Sequence, residues 1–193
     1  MKKFMALLLV AGMTLSLTAC GGSTDTAKTD QADGKDTFTV GFDQDFPPFG
    51  YVGDDGEFTG FDIEMATECA ARMGKKIVLQ PIDWDAKDME LEAGTIDCIW
   101  NGFTMNGRED QYTWTDPYMD NSQVFVVAAD SGISSLADLA GKVVEVQTDS
   151  SAEAALKDNA ELSATFGTLQ TTPDYNTAFM DLEMGAVDAI AMD

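Results

Sequence analysis

Between Phe38 and Met192 the chain alternates short β-like apolar runs with helical ones, and no other feature narrows its fold as much. Short apolar runs bounded by turn residues read as strands, and stripes of period 3.6 read as helices. Strands are expected at Phe38–Phe42, Lys76–Gln80, Ile96–Trp100, Ser122–Ala129, Lys142–Gln147, Ala164–Leu169 and Val187–Met192. Asp62 is the expected cap of a helix whose apolar stripe is Ile63, Ala66, Ala70 and Met73, closed by Gly74. Further helices are expected at Ala86–Ala93, Ser134–Ala140, Ser150–Lys157 and Asp174–Met184, three of them followed at once by Gly94, Gly141 and Gly185. Asp54-Asp55-Gly56 marks a turn. Strand–helix alternation of this kind predicts an α/β fold with mostly parallel sheets.

The N-terminus obeys different rules. Met1-Lys2-Lys3 is basic, and Phe4 to Ala19 is nearly continuous apolar sequence, too short for a comfortable membrane span. The order of basic region, apolar region and small residues is that of a secretory signal, residues 1–19. Leu17-Thr18-Ala19-Cys20 resembles the lipobox of bacterial lipoproteins, in which the Cys becomes the first mature residue and carries lipid on its sulfur and amine. The resemblance implies a lipid-modified (palmitate-type) Cys20 and an extracytoplasmic protein anchored to the cell membrane. Residues 20–37 contain no large apolar side chain up to Thr37, so they offset no ordering entropy and are expected to be a flexible tether of roughly 20–25 Å.

Composition excludes several functions. Removing the leader leaves 174 residues with 9 basic against 34 acidic side chains, a net charge of −25. Such a surface repels nucleic acid and anionic lipid alike and keeps the protein soluble. There is no histidine and no Cys-x-x-Cys spacing, so no zinc site is expected, and no other cofactor. Cys69 and Cys98 remain after lipidation. Outside the cytoplasm they are free to pair, but both lie in apolar-periodic segments and are expected to be two buried thiols.

Several segments in order resemble the extracellular solute-binding proteins of the polar amino-acid ABC importers. They are Val40-Gly41-Phe42-Asp43-Gln44-Asp45-Phe46-Pro47-Pro48-Phe49, Gly60-Phe61-Asp62-Ile63-Glu64-Met65-Ala66, Asp83-Trp84-Asp85, Asp97-Cys98-Ile99-Trp100-Asn101-Gly102-Phe103-Thr104 and Thr115-Asp116-Pro117-Tyr118. Leu136–Val144 and Val187–Asp193 complete the set. The resemblance implies a two-lobe periplasmic-binding-protein-like fold with a ligand cleft between the lobes, lobe 1 at 38–123 and lobe 2 at 124–193. It implies a monomeric, non-enzymatic receptor that passes an amino acid to a membrane permease. Relatives continue for some tens of residues, so the second lobe reads as incomplete, and residues 20–193 alone are expected to bind amino acids poorly.

An amino-acid site needs a fork for the α-carboxylate, an anion for the α-ammonium and an apolar slot with a few polar groups. The resemblance places the fork at Arg108, although Thr104-Met105-Asn106-Gly107-Arg108 is one residue shorter than the family pattern. The other mature arginine, Arg72, reads as a solvated helix-end cation. Thr104, Ser150 and Ser151 are expected carboxylate donors, the two serines opening a helix where simple capping is the alternative. Asp193 corresponds to the ammonium carboxylate. Phe46 and Trp84 correspond to walls of the slot, and Asp43, Asn101 and Gln147 to its outer end, with Gly102 beside them. Three polar groups there favour a polar amino acid, and Asp43 a cationic one. Asp149 stands where relatives often have Gly, which places a carboxylate near the fork.

Two other classes stay open at this stage. An enzyme on the same fold, dehydratase-like, has no histidine for a Ser–His or Cys–His pair, and no spacing singles out an acid–base pair among the 34 acids. A receptor's sensing domain is the other.

Overall fold

Residues 36–193 are described in the computed structural model; the leader, Cys20 and all but the end of the tether lie outside the described residues. Thr37, read from sequence as the last tether residue, already begins a strand.

Strand β1 (Thr37–Phe42) is central in the first sheet. It pairs in parallel with β5 (Lys76–Pro81), Val40 opposite Leu79, and with the short β6 (Cys98–Ile99), Val40 opposite Cys98. Its carboxyl half is fully buried. The connection from β1 to β5 runs through a small antiparallel meander, β2 (Asp45–Phe46), β3 (Gly50–Val52) and β4 (Phe58–Thr59), and then α1 (Phe61–Arg72). The meander was not legible in the sequence, because strands of two or three residues show no period. Gly60 opens α1 at φ 124, where a Cβ would lie 2.3 Å from the Phe49 carbonyl oxygen; only glycine lets the chain turn here. Asp62 is therefore not the cap. It sits inside the first helical turn, fully buried, and accepts a 2.7 Å hydrogen bond from the Tyr118 hydroxyl.

A 3-10 turn at Trp84–Ala86 leads into α2 (Lys87–Ala93), which stops at Gly94 in the left-handed region. The expected buried strand Ile96–Trp100 shrinks to the two half-buried residues of β6. The Asp97 carboxylate takes the Thr39 N–H at 2.8 Å in place of a ladder bond, and the chain turns away at Asn101. Cys69 and Cys98 are free thiols, half-buried rather than fully buried.

The second sheet has the order β7-β10-β8-β9. β7 (Val124–Val127) is shorter than the expected Ser122–Ala129 and is an antiparallel edge with Val124 exposed. β8 (Val143–Gln147) is inner, flanked in parallel by β9 (Thr168–Thr172) and β10 (Ala189–Met192). The expected helix at Ser134–Ala140 is a 3-10 turn, Leu136–Leu139, held by a reciprocal Ser135–Asp138 capping box. α3 (Ser151–Asp158) is followed by α4 (Ala160–Ser163), whose cap Asn159 accepts from the Leu162 N–H. That turn pulls Ala164–Phe166 out of the predicted strand, which starts only at Thr168. α5 (Tyr175–Glu183) begins at its cap Asp174. Leu139, Val144, Val146, Ala152 and Leu156 form one core under this sheet; Tyr175, Ala178, Val187 and Ile190 form another, into which Phe46 of β2 inserts.

Candidate functional site

Both sheets turn their carboxyl ends toward one cleft. Asp43 follows β1, Asn101 lies two residues past β6, Gln147 ends β8 and Asp193 follows β10. Strand carboxyl ends in open α/β sheets converge on just such crevices. The water-accessible room left in it is about 10 Å³, roughly that of one water.

The cleft walls bring together Phe46, Trp84, Asn101, Gly102 and Thr104 from the first sheet's side with Gln147, Ser151 and Asp193 from the second's. Two further walls, Phe103 and Tyr175, were not singled out from sequence. Phe103 directly follows the Asn101-Gly102 turn, and Tyr175 is the apolar first residue after a capping aspartate. Phe46 and Trp84 are buried; Phe46 lies 5.7 Å from the Tyr175 ring and Trp84 meets Phe103 edge-on at 5.2 Å. Gly102 has φ 58, and its N–H donates to the Tyr118 hydroxyl oxygen at 3.1 Å.

Residues 100–123 contain no strand or helix, so side chains must hold the segment. Phe103, Tyr112 and Trp114 pack as a triad with centroids 5.1–5.2 Å apart. Trp114 donates its indole N–H to the Arg108 carbonyl at 3.1 Å, and the Arg108 guanidinium lies 5.1 Å over the Phe103 ring. Thus anchored, Arg108 bridges to the second side beside the cleft, without itself lining the cleft wall. Its Nη1 donates to Ser151 Oγ at 2.7 Å and to the Thr104 carbonyl at 3.5 Å, and its Nη2 donates to the Asp149 carbonyl at 3.3 Å.

Asp193 Oδ1 accepts from the Thr104 hydroxyl at 3.0 Å and from the amides of Asn121 and Gln123, each at 2.6 Å. Asn121 Nδ2 also donates to Thr104 Oγ1 at 2.7 Å. Thr104 therefore touches both the cation and the anion of the site. Asn121 and Gln123 were missed from sequence because nothing in a polar loop marks them.

At the other end, Asp43 is buried. Its Oδ1 accepts from the Asp45 N–H at 2.8 Å, its Oδ2 from Gln147 Nε2 at 2.7 Å, and its own N–H donates to Asn101 Oδ1 at 2.9 Å. Burial pushes its pKa up, and the charges of Asp45 and Asp174 add to that; the Asp45 and Gln147 bonds offset only part. Asp43 thus stands behind Gln147 and Asn101 rather than on the wall. Ser150 is off the wall too: its Oγ accepts the Glu153 N–H at 3.1 Å as the cap of α3, while its neighbour Ser151 faces Arg108.

Asp149 lies between the two sides at φ 58, a conformation that asparagine and aspartate tolerate better than other side chains. Its carboxylate turns away from the Arg108 fork and meets the buried Lys87 ammonium. Among the described residues, no cluster of three or more Cys, Asp and Glu is arranged to hold a metal.

The family model for bacterial extracellular solute-binding proteins, family 3, matches residues 38–191, and the chain belongs to that family. It is 33% identical to the L-cystine-binding protein TcyJ of Escherichia coli (strain K12) over 98% of this chain and 69% of that protein. It is 36% identical to the arginine-binding extracellular protein ArtP of Bacillus subtilis (strain 168), covering 86% of this chain and 63% of that one. Its fold superposes with TM-score 0.78 and 36% identity on an ABC uptake transporter substrate-binding protein from Streptococcus pneumoniae with bound histidine, over 82% of this chain and 66% of that one. The chain thus spans about two thirds of the length of these relatives, and its architecture is their α/β two-lobe periplasmic-binding-protein-like fold.

Proposed function

We propose that this protein is the substrate-binding component of an ABC importer, capturing a polar or cationic L-amino acid between a lobe at 38–123 and a lobe at 124–193. One observation carries the reading: Thr104, on the cleft wall, contacts both Arg108 and Asp193, so a fork and a carboxylate stand together beside one cleft as an α-carboxylate and an α-ammonium require. Each group is already paired within the protein. A ligand carboxylate exchanges with Ser151 Oγ on the fork, and a ligand ammonium exchanges with the Asn121 and Gln123 amides on Asp193, so little charge is desolvated without a partner. The aromatic walls take the side chain, and Gln147, Asn101 and Asp43 read its polar end; the names of the relatives above, which bind cystine, arginine and histidine, support this class. Contacts from both lobes stabilise a closed form, and a membrane permease receives the amino acid unchanged.

Arg108→Lys keeps the charge and loses the fork. It is expected to weaken binding by about 2 kcal/mol, roughly thirtyfold. Calorimetry with L-arginine, L-histidine and L-cystine on the protein extended to the relatives' usual length, followed by recovery of the ligand, tests both points. Unchanged affinity in the variant removes Arg108 from the site, and conversion of the ligand makes the protein an enzyme. Membrane attachment through Cys20 is part of the proposal. Mass spectrometry of the membrane fraction is expected to find a diacylated or triacylated N-terminal Cys20, and an unmodified soluble product starting elsewhere refutes it.

A further inference from the structure

Lys87 is the first residue of α2, where the helix dipole disfavours a cation, yet its side chain is only 1% exposed. A buried ammonium needs full pairing. Lys87 Nζ donates to the Trp84 carbonyl within its own lobe at 3.3 Å, and lies 5.1 Å from the Trp84 ring centroid and 6.0 Å from that of Phe103. Its remaining partners belong to the other side of the cleft: the Asp149 carbonyl at 3.3 Å and the Asp149 carboxylate. The Asp149 carbonyl accepts Arg108 Nη2 as well, so one residue of the second side is gripped by two cations of the first.

Asp149 is positioned for this grip at a conformational cost. It is the one non-glycine with positive φ among the described residues, and its N–H is tied to Glu153 Oε2 at 2.8 Å. A glycine would hold the same backbone without strain, but would leave Lys87 with carbonyls alone.

We propose that Lys87 and Asp149 form a closing latch across the cleft, a positioning pair that fixes the closed geometry and presents the Arg108 fork to the ligand. This rests on the receptor reading above. The latch joins protein to protein, so it favours closure before any amino acid arrives, and it slows release afterwards. Part of the cost of closing is then met by the latch instead of by the ligand, which raises apparent affinity by raising the competent fraction. Half of the Asp149 side chain is exposed, so the pair is sensitive to salt.

The test uses the full chain with Lys87→Met, Asp149→Asn, the double variant and Asp149→Gly. Asp149→Asn keeps the tolerance for positive φ and removes only the charge. X-ray scattering without added amino acid is expected to show a larger radius of gyration in either single variant, and no further increase in the double. Stopped-flow tryptophan fluorescence with L-histidine, L-arginine and L-cystine is expected to show dissociation about tenfold faster in both, the factor that corresponds to about 1.4 kcal/mol. The rate in the parent protein is expected to rise between roughly 0.05 M and 0.5 M salt, and in the variants to stay flat. Asp149→Gly keeps the backbone conformation and removes the carboxylate, and is expected to open the cleft and speed dissociation as Asp149→Asn does. The latch is overturned if Asp149→Asn leaves both radius and dissociation unchanged, whatever Lys87→Met does to stability. If the parent binds none of the three amino acids and Asp149→Asn still expands it, the latch stands on its own, independently of the receptor reading.

Discussion

β8 in the second sheet is buried at four successive residues, Val144 to Gln147, whereas β5 at the edge of the first alternates between exposed and half-buried along its length. The second sheet has helices on it and a continuous aliphatic core of Leu139, Val144, Val146, Ala152 and Leu156. On the first sheet's side, an open groove of about 640 Å³ runs along α1, lined by Phe61, Met65, Cys69, Met73 and Trp100. Packing there is carried instead by aromatic pairs such as Phe42–Phe58 and by the Phe103 triad. One strand–helix grammar has thus produced two halves with different sources of rigidity: aliphatic close packing in one, ring contacts and buried polar groups in the other. The site draws on both, its cations from the first and its helix start and Gln147 from the second.

If that contrast is right, truncating the aliphatic core has the largest effect on stability. Leu139→Ala is expected to cost about 3 kcal/mol, because its buried surroundings cannot collapse around the missing atoms. Val78→Ala on the open face of β5 is expected to change stability by about 0.5 kcal/mol or less. Urea denaturation of both variants measures the difference, and equal losses would erase the distinction between the halves.

Each half also buries an acid away from the cleft, and the two sharpen the comparison. Asp62 in the first half has its pKa pushed up to about 6, chiefly by burial, with the Tyr118 hydrogen bond offsetting part. Glu145 in the second half is shifted in the same direction, again by burial first, and is bonded by Gln170 at 3.1 Å. A carboxyl whose folded pKa lies above its unfolded value of about 3.9 binds more protons folded than unfolded between those values. Its contribution is therefore fully favourable below about pH 4 and is lost as pH rises through about 6. Asp62→Asn is expected to flatten that decline and to leave the variant about 2 kcal/mol more stable relative to the parent at pH 7.5 than at pH 4. Thermal melts of parent and variant across pH 3.5–8 check this, and parallel curves would show that Asp62 does not titrate in that window. Glu145→Gln is expected to show the same sign with a smaller change.

The sequence made the parallel α/β plan legible because it is written in periodicity. The cleft residues were legible through the family resemblance rather than through periodicity: Asn101, Gln147 and Asp193 line the cleft, while Asp43 stands behind it. What it hid has local causes. The meander β2–β4 is too short to carry a period. Asp62 looks like a cap two residues after Gly60, the glycine that actually turns the chain. Ala164–Phe166 has strand composition but is drawn into the turn that Asn159 caps. Lys87 carries no mark in the sequence beyond being a cation in the first turn of a helix, against the dipole.

Ser150 and Ser151 give the smallest and most discriminating comparison, since adjacent serines at one helix start were both candidates to face a ligand. Ser150 Oγ receives the Glu153 N–H and also contacts Tyr175, so its oxygen works inside the second half. Ser151 Oγ receives Arg108 from the first half. Ser150→Ala is expected to lower stability by about 1 kcal/mol, the usual cost of a lost cap, with amino-acid affinity little changed once the protein is folded. Ser151→Ala is expected to do the reverse: its melting temperature stays near that of the parent, because the first helical position makes no cap bond, while affinity for the amino acid shifts as the fork loses its protein partner. Paired melts and calorimetry on the two variants read both quantities. The expected crossing of the two effects separates a residue that builds the helix from one that faces the ligand. If both variants lose affinity equally with no change in melting, Ser150 belongs to the site and its capping bond is incidental.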